Sequence, residues 1–305
     1  MDENLNEALD SCLAALIPNS KIMAINTLSE YPLVTSQNNK IEEIHSFGAT
    51  YTQALSIGLS HTESAYVAIM NSDDLVHTDR FTKQILELEL KDADLCITRL
   101  QKFSRTRRNI PSVLGESPLT PYSGLLLLGS YGANASWCFT REWAKKVNLF
   151  DSSTDTSDWT TALRVFPNTK IVTQDETLYF YRMHKTQITR TGNVDDSILL
   201  EKWKEYCALF GLPVLADNQI RQILFPARFS DVREIDHISR WLDDLEKLLL
   251  EESSPNDKNR IRRLVTRRKL LIKLFSRKLD FKFNELPELL RLGTDTIRAL
   301  KYLRY

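Results

Sequence analysis

Asn71-Ser72-Asp73-Asp74 places two adjacent carboxylates directly after an apolar run, Ala65 to Met70. The run reads as a buried strand, and the carboxyl ends of strands are where open α/β sheets usually place ligands. Two acids at such a point suggest a metal ion of the kind that takes oxygen ligands. Two residues before Asp73, Asn71 offers a carbonyl oxygen but brings no charge. Two later fragments carry chemistry of their own: Asp158 in "TSDWTTALR" (Thr156 to Arg164) and His184 in "YFYRMHKTQITR" (Tyr179 to Arg190). Each also has a plain structural reading. A carboxylate pair braces a turn, an Asp ahead of a helix caps it, with Ser157 equally able to do so, and a strand-end histidine is structural. Their order and spacing along one chain call for a common explanation.

The elements that must position these groups follow from hydrophobic spacing. Leu5, Ala8, Leu9, Cys12, Leu13 and Leu16 recur at helical intervals over residues 4–17, and Pro18 marks the end of that helix. The apolar run Ile22 to Ile25 predicts a strand, Lys40 to His45 alternates like another, and Gly48 to Leu59 has a helical pattern. After the acidic turn, Phe81, Ile85 and Leu88 share a helical face, and Asp94 to Thr98 returns to strand. This alternation predicts helices covering a largely parallel sheet. Residues 104–136, rich in Pro, Gly and Ser, form a long excursion of the kind that builds flaps and acceptor surfaces. Beyond a helix from about Thr140, a segment at Asp158 to Val165 and the strand-like "TLYFYRMH", the pattern becomes helical throughout from residue 191.

A chain of 305 residues, 42% hydrophobic and 26% charged, is long enough for a substantial core. Forty basic and forty acidic residues cancel, so global charge favours neither nucleic acid nor acidic partners. Cys12, Cys96, Cys138 and Cys207 have no zinc-binding spacing and suggest no disulfide framework, which fits a reducing cytoplasm. The polar start Met1-Asp2-Glu3-Asn4 is unlike a secretory signal, and "SGLLLLGSYGANA" (Ser123 to Ala135) is too short and interrupted for a membrane span.

The longest recognisable pattern is Gly48 to Gln84, in which Leu55, Gly58, Asp73, Asp74, Arg80 and Gln84 fall on the positions of a glycine-led helix, a strand, an aspartate-rich metal motif and a helix with Arg and Gln. This resembles the family 2 glycosyltransferases of GT-A fold, particularly bacterial enzymes of surface-polysaccharide assembly. "DTSDWTTALR" is similar to the family's Glu-Asp motif and "LYFYRMH" to its Tyr-Arg-x-His segment, so that the resemblance covers residues 4–190. It implies a GT-A domain over residues 1–190, Rossmann-like, with a mixed, mainly parallel sheet flanked by helices, and a helical C-terminal region over 191–305. It also implies metal-dependent, inverting transfer from a nucleoside-diphosphate sugar, a UDP-sugar first, to a glycan or lipid-linked acceptor in capsule or O-antigen assembly. By carry-over, Asp73 is the principal ligand of Mn²⁺ or Mg²⁺, His184 a second metal or phosphate contact, and Asp158 the general base. Asn26, Asn71, Ser72 and Asp73 line the donor site.

The chain departs from the pattern at Asn26, where an Asp is expected, at Ser56 for Asn, at Asn71 for the first acid of the metal motif and at Ser157 for Glu. The family's short strand ahead of the first helix has no counterpart here, from which a reduced nucleotide pocket or a displaced start is expected. These departures suit a rival reading, a GT-A-like protein that binds a partner enzyme or glycan without turnover.

From Lys258 to Lys278 there are ten Lys or Arg and no acid, interleaved with Ile261, Leu264, Val265, Leu271, Ile272, Leu274 and Phe275. Such a segment suits an anionic membrane surface, which would make the protein cytoplasmic and peripheral at the inner face of the membrane. It equally suits a helix packed by its apolar face with a solvated basic face. Nucleic acid is not expected as a partner, since no recognised module accompanies the charge.

Overall fold

The computed structural model describes residues 3–32, 38–104, 107–110, 123–129, 133–151, 157–184, 196–226, 234–251, 253 and 255–276. Most of the predicted 104–136 excursion lies outside these residues, as do Thr156 and the last two residues of the basic segment. By contact the chain forms two compact units, Met1–Ile110 with Gly132–Val194, and Pro111–Tyr131 with Asp195–Tyr305.

The first unit alternates helices and strands. Helix α1 (Glu3–Ala15) buries Ala8, Cys12 and Ala15, the face its spacing predicts. Strands β1 (Ile22–Asn26) and β2 (Ile41–His45) then pair in parallel as a separate two-stranded sheet. Gly48 closes the loop after β2 with φ +77, a conformation that favours glycine, and its N–H donates to Thr27 O at 3.0 Å. Helix α2 (Tyr51–Ser60) starts at a reciprocal cap: Gln53 N–H donates to Thr50 Oγ1 and Thr50 N–H to Gln53 Oε1.

The main sheet combines β3 (Tyr66–Ala68), β4 (Leu75–Val76), β5 (Leu95–Ser104), β6 (Arg107–Ile110), β7 (Trp137–Thr140) and β8 (Ile171–Arg182). Its order is β3-β7-β5-β8-β4, with β6 on β5. The sheet is mixed, as expected, but carries more antiparallel pairing than alternation predicts: among the described ladders only β1–β2 and β5–β8 run parallel. β4 follows β3 through the acidic turn and β7 directly follows the 3-10 turn Asn134–Ser136, so neither is fed immediately by a crossover helix that would favour parallel pairing. Helices α3 (Arg80–Lys91), α4 (Arg141–Lys146) and α5 (Asp158–Val165) complete the unit. Trp137 and Trp159 are both buried, Trp137 with its ring centroid 5.5 Å from that of Phe166.

The second unit is helical where described: α6 (Ser197–Leu209), α7 (Asp217–Leu224), α8 (Ile235–Glu251) and α9 (Pro255–Phe275), with a 3-10 turn at Ser123–Leu128. Leu125 to Leu128 are buried in this unit, each such side chain contributing about 1.5–3 kcal/mol of apolar transfer. The fit is close, since a Cβ on Gly124 would meet Leu249 Cδ2 at 2.8 Å. Trp203 Nε1–H donates to Leu127 O at 3.1 Å, and the Trp203 and Trp241 rings lie 5.3 Å apart. No helix among the described residues is long and apolar enough to cross a membrane.

The basic segment is therefore a packed helix whose apolar face is covered: Ile261, Val265, Leu271 and Ile272 are buried, while Arg262 and Arg263 are exposed. One of its cations is structural. Arg268 is buried and donates through Nη1 to Ile223 O at 2.7 Å and through Nη2 to Leu128 O, satisfying carbonyls where α7 and the 3-10 turn end. Burial lowers its pKa to about 10, so it remains charged at neutral pH. Arg268→Met is expected to cost about 2–4 kcal/mol by leaving those carbonyls unpaired, against about 0.5 kcal/mol or less for Arg262→Met; urea unfolding of the full chain measures both.

Candidate functional site

The acidic turn lies between β3 and β4, and β4 pairs antiparallel with β8, matching Leu75 with Phe180 and Val76 with Tyr179. This register brings residues more than a hundred positions downstream against the turn. Asp74 is fully buried, and every described donor to it has a clear origin. Tyr179 Oη–H donates to Oδ2 at 2.5 Å, the Arg182 N–H to Oδ1 at 2.7 Å, and Asn71 Nδ2–H to Oδ2 at 3.0 Å. Burial raises its pKa to about 6, and these three donors hold it down against a larger rise.

With Asp74 turned inward, Asp73 faces outward. Its Oδ2 lies 2.7 Å from His184 Nε2, and both side chains are about 30% exposed. Arg182 secures the backbone beneath them: Nε–H donates to Asp73 O at 2.6 Å and Nη2–H to Glu7 Oε2 on α1 at 2.5 Å, with its guanidinium 4.8 Å from the Phe103 ring centre. Asp73 and His184, assigned separately from sequence, are thus brought together. Ser72 is exposed at the tip of the turn.

Asp158 occupies the first turn of α5, which Ser157 caps through a hydrogen bond from Thr160 N–H at 3.2 Å. Ser157 rather than Asp158 therefore supplies the cap's side-chain oxygen. Burial raises its pKa, opposed by the backbone N–H groups of Trp159, Asn134 and its own residue. Asn134 leads back to the acidic turn: Tyr51 Oη lies 3.0 Å from Asn134 Oδ1 and 3.0 Å from Asn71 Oδ1. Tyr51 and Asn134 were not found by sequence reasoning. Tyr51 lies within the Gly48 to Gln84 pattern but on none of its matched positions, Asn134 lies in a stretch read only for its apolar run, and a tyrosine opening a helix carries no local signal of a partner 83 residues away.

Asn26 is placed differently. Buried at the end of β1, it donates from Nδ2 to Tyr31 O at 3.0 Å and Glu43 Oε1 at 2.8 Å, and accepts at Oδ1 from Leu28 and Ser29 N–H. These bonds stay within β1, its loop and β2.

Arg80 and Gln84 support the site from below. Both are fully buried on α3. Arg80 Nη2–H groups reach Ile69 O, Ala135 O and Trp137 O at 3.0, 2.8 and 3.3 Å, its Nε–H reaches Gln84 Oε1, and Gln84 Nε2–H donates to Cys96 O and Ser136 O. The guanidinium stands 4.8 Å from the Tyr179 ring centre. It joins the strand that leads into the acidic turn to the segment that carries Asn134.

As a cation site, Asp73 and His184 supply one carboxylate oxygen and one imidazole nitrogen. Among the described residues no three His, Cys, Asp or Glu side chains gather as a closed cage. Two protein ligands fit an ion that takes its other oxygens from phosphates and water, the pattern of nucleotide-bound Mg²⁺ and Mn²⁺.

Residues 3–142 match the family described as Glycosyl transferase family 2. None of the curated proteins matches the chain in sequence. Among solved structures, S. aureus TarS residues 1–349 in complex with UDP-GlcNAc superposes with a TM-score of 0.52 at 13% identity, over 93% of this chain and 88% of that one. The longer S. aureus TarS chain gives a TM-score of 0.52 at 12% identity, over 90% of this chain and 52% of its own. At these identities the likeness is one of fold, and the fold is GT-A.

Tyr179→Phe keeps the ring beneath Arg80 and removes one donor to Asp74. Because that donor favours the ionised carboxylate, the substitution is expected to raise the Asp74 pKa above about 6 and to cost about 1.5–3 kcal/mol at pH 8. A carboxyl whose folded pKa exceeds its unfolded value of 3.8 destabilises the fold increasingly as pH rises from about 4 to about 6, and loss of the donor enlarges that effect. The cost should therefore be smaller at pH 5. Urea unfolding of both chains in metal-free buffer measures it; equal costs at the two pH values would detach Tyr179 from the Asp74 charge.

Proposed function

We propose, from the match of residues 3–142 to the family described as Glycosyl transferase family 2, that the chain transfers a sugar, with inversion, from a nucleoside-diphosphate donor to an acceptor hydroxyl. A UDP-sugar is the first donor to consider, since the similar TarS structure holds UDP-GlcNAc. The acceptor class is a glycan or lipid-linked glycan of the bacterial surface. In this reading residues 1–190 are the transfer domain and 191–305 the helical region.

The observation that carries the reading is the continuous set of contacts from His184 and Asp73, through Asp74, Asn71, Tyr51 and Asn134, to Asp158. Asp73 and His184 would hold Mn²⁺ or Mg²⁺, which when bound neutralises charge on the departing diphosphate. Asn71 and Ser72 border the same turn, and Asn26 orders the loop after β1 beside Glu43. Asp158 takes the acceptor proton at its carboxylate oxygen. Its raised pKa suits that role, because a base closer to the working pH accepts a proton with more driving force.

The rival, a GT-A-like binding protein without turnover, draws on Asn26 and Asn71, whose side chains are already engaged within the protein. Calorimetric titration of UDP with and without Mn²⁺ separates the two readings. Binding that needs both the metal and Asp73, and is lost in Asp73→Ala, supports the donor site; no binding by folded chain favours the rival. In a transfer assay Asp158→Asn is expected to lower kcat about 10²–10⁴-fold with UDP affinity retained. An unchanged rate would remove Asp158 from the role of base.

Membrane association, in this reading, is electrostatic. The apolar face of α9 is covered, so only exposed cations such as Arg262 and Arg263 remain for an anionic surface at the inner face of the membrane, each worth about 1 kcal/mol there. Co-sedimentation with phosphatidylserine vesicles should occur at low salt, weaken as salt is raised, and fall in Arg262→Glu/Arg263→Glu; no sedimentation at low salt would end the idea.

A further inference from the structure

Tyr51 opens α2 directly after its cap, with a residue that is 42% exposed. A half-exposed tyrosine ordinarily leaves its hydroxyl to water. Here the hydroxyl is set between two asparagine side chains, 3.0 Å from each carbonyl oxygen.

The partners have defined orientations. Asn71 must turn Nδ2 toward the Asp74 carboxylate, an acceptor when ionised, so its Oδ1 faces Tyr51. Asn134 begins the 3-10 turn Asn134–Ser136, is buried, and directs its backbone N–H to Asp158. Later in the same 3-10 turn, Ala135 O is held by Arg80 at 2.8 Å. The 3-10 turn that contains Asn134 is therefore held at Ala135 O by a buried guanidinium and at the Asn134 side chain by the Tyr51 hydroxyl. The hydroxyl carries one proton and gives it to one carbonyl oxygen at a time. Desolvation at the hydroxyl end of the ring, reinforced by the nearby Asp158 charge, keeps that proton on the oxygen well above neutral pH.

We propose that Tyr51 is a positioning residue: its hydroxyl ties the turn that presents Asp73 to the segment that holds Asp158, and so sets the spacing between the cation side and the base side of the site. The purpose of the tether rests on the glycosyl-transfer reading, whereas its geometry does not. A cation at Asn71 Oδ1, or a ligand hydroxyl that donates to it, turns the Tyr51 proton to Asn134 Oδ1, so occupancy of one side is felt at the other.

The test is the titration of Asp158, followed by carboxyl ¹³C NMR in the full chain and assigned by the signal missing from Asp158→Asn. Tyr51→Phe keeps the ring and removes the tether. Asn134 then holds its N–H less firmly on the carboxylate, and the Asp158 pKa is expected to rise by about 0.5 unit or more. Asn134→Ala should produce a similar rise, and the double variant no more than the larger single effect, since both cut one link. Any acid limb of the kcat profile should move upward with it, while UDP affinity stays within about twofold. A purely structural tyrosine would lower the melting temperature and leave Asp158 where it was. An Asp158 shift below about 0.1 unit in Tyr51→Phe, or additive shifts in the double variant, would overturn the tether. The expected shift in a chain that binds no UDP would instead uphold the tether and sink the donor assignment.

Discussion

The buried carboxylate of Asp74 is the constraint on which the first unit's chemistry depends. A carboxylate removed from water must be met by donors, and here they come from Tyr179, the Arg182 backbone and Asn71. Meeting that demand fixes the end of β8 against the acidic turn. It also decides which of two adjacent aspartates is available, because with Asp74 facing inward, Asp73 is left beside His184 at the surface. The acid that binds nothing from outside is therefore the one that arranges the acid that can.

A second buried charge does comparable work beneath the first. Arg80 has no carboxylate partner among its described contacts; backbone carbonyls, Gln84 and the faces of Tyr179 and Phe81 surround it. Burial lowers its pKa, but a guanidinium retains its charge at neutral pH. Cys96 and Cys138, opposite one another on β5 and β7, lie in the same interior with thiols pushed up to about 12 by burial. They behave as small core residues rather than nucleophiles. A polar interior of this kind fixes one arrangement of strand and helix, because any shift strands several carbonyls at once.

The basic segment shows how far a local pattern can be read. Its amphipathicity correctly forecast a helix with one apolar face. Which surface would cover that face was not legible, nor was the fact that one of its arginines would be buried. Arg268 is set apart from the exposed Arg262 and Arg263 by its burial and by the carbonyls that α7 and the 3-10 turn bring to it.

What the sequence determined by itself is what short-range physics encodes. Periodicity located α1, β1, β2, α3 and β5 to within a few residues, although β5 runs on to Ser104. The resemblance to glycosyltransferases singled out Asp73, Asp158 and His184 and indicated the GT-A fold. Tertiary structure alone decided the antiparallel pairing of β4 and β7, the inward turn of Asp74, and the bridge through Tyr51 and Asn134. The bonds of Tyr51 to Asn134 and of Tyr179 to Asp74 span 83 and 105 residues of chain. They depend on strand register and on the burial of unlike charges, quantities that belong to the folded ensemble of neighbours and have no local spacing by which to be recognised.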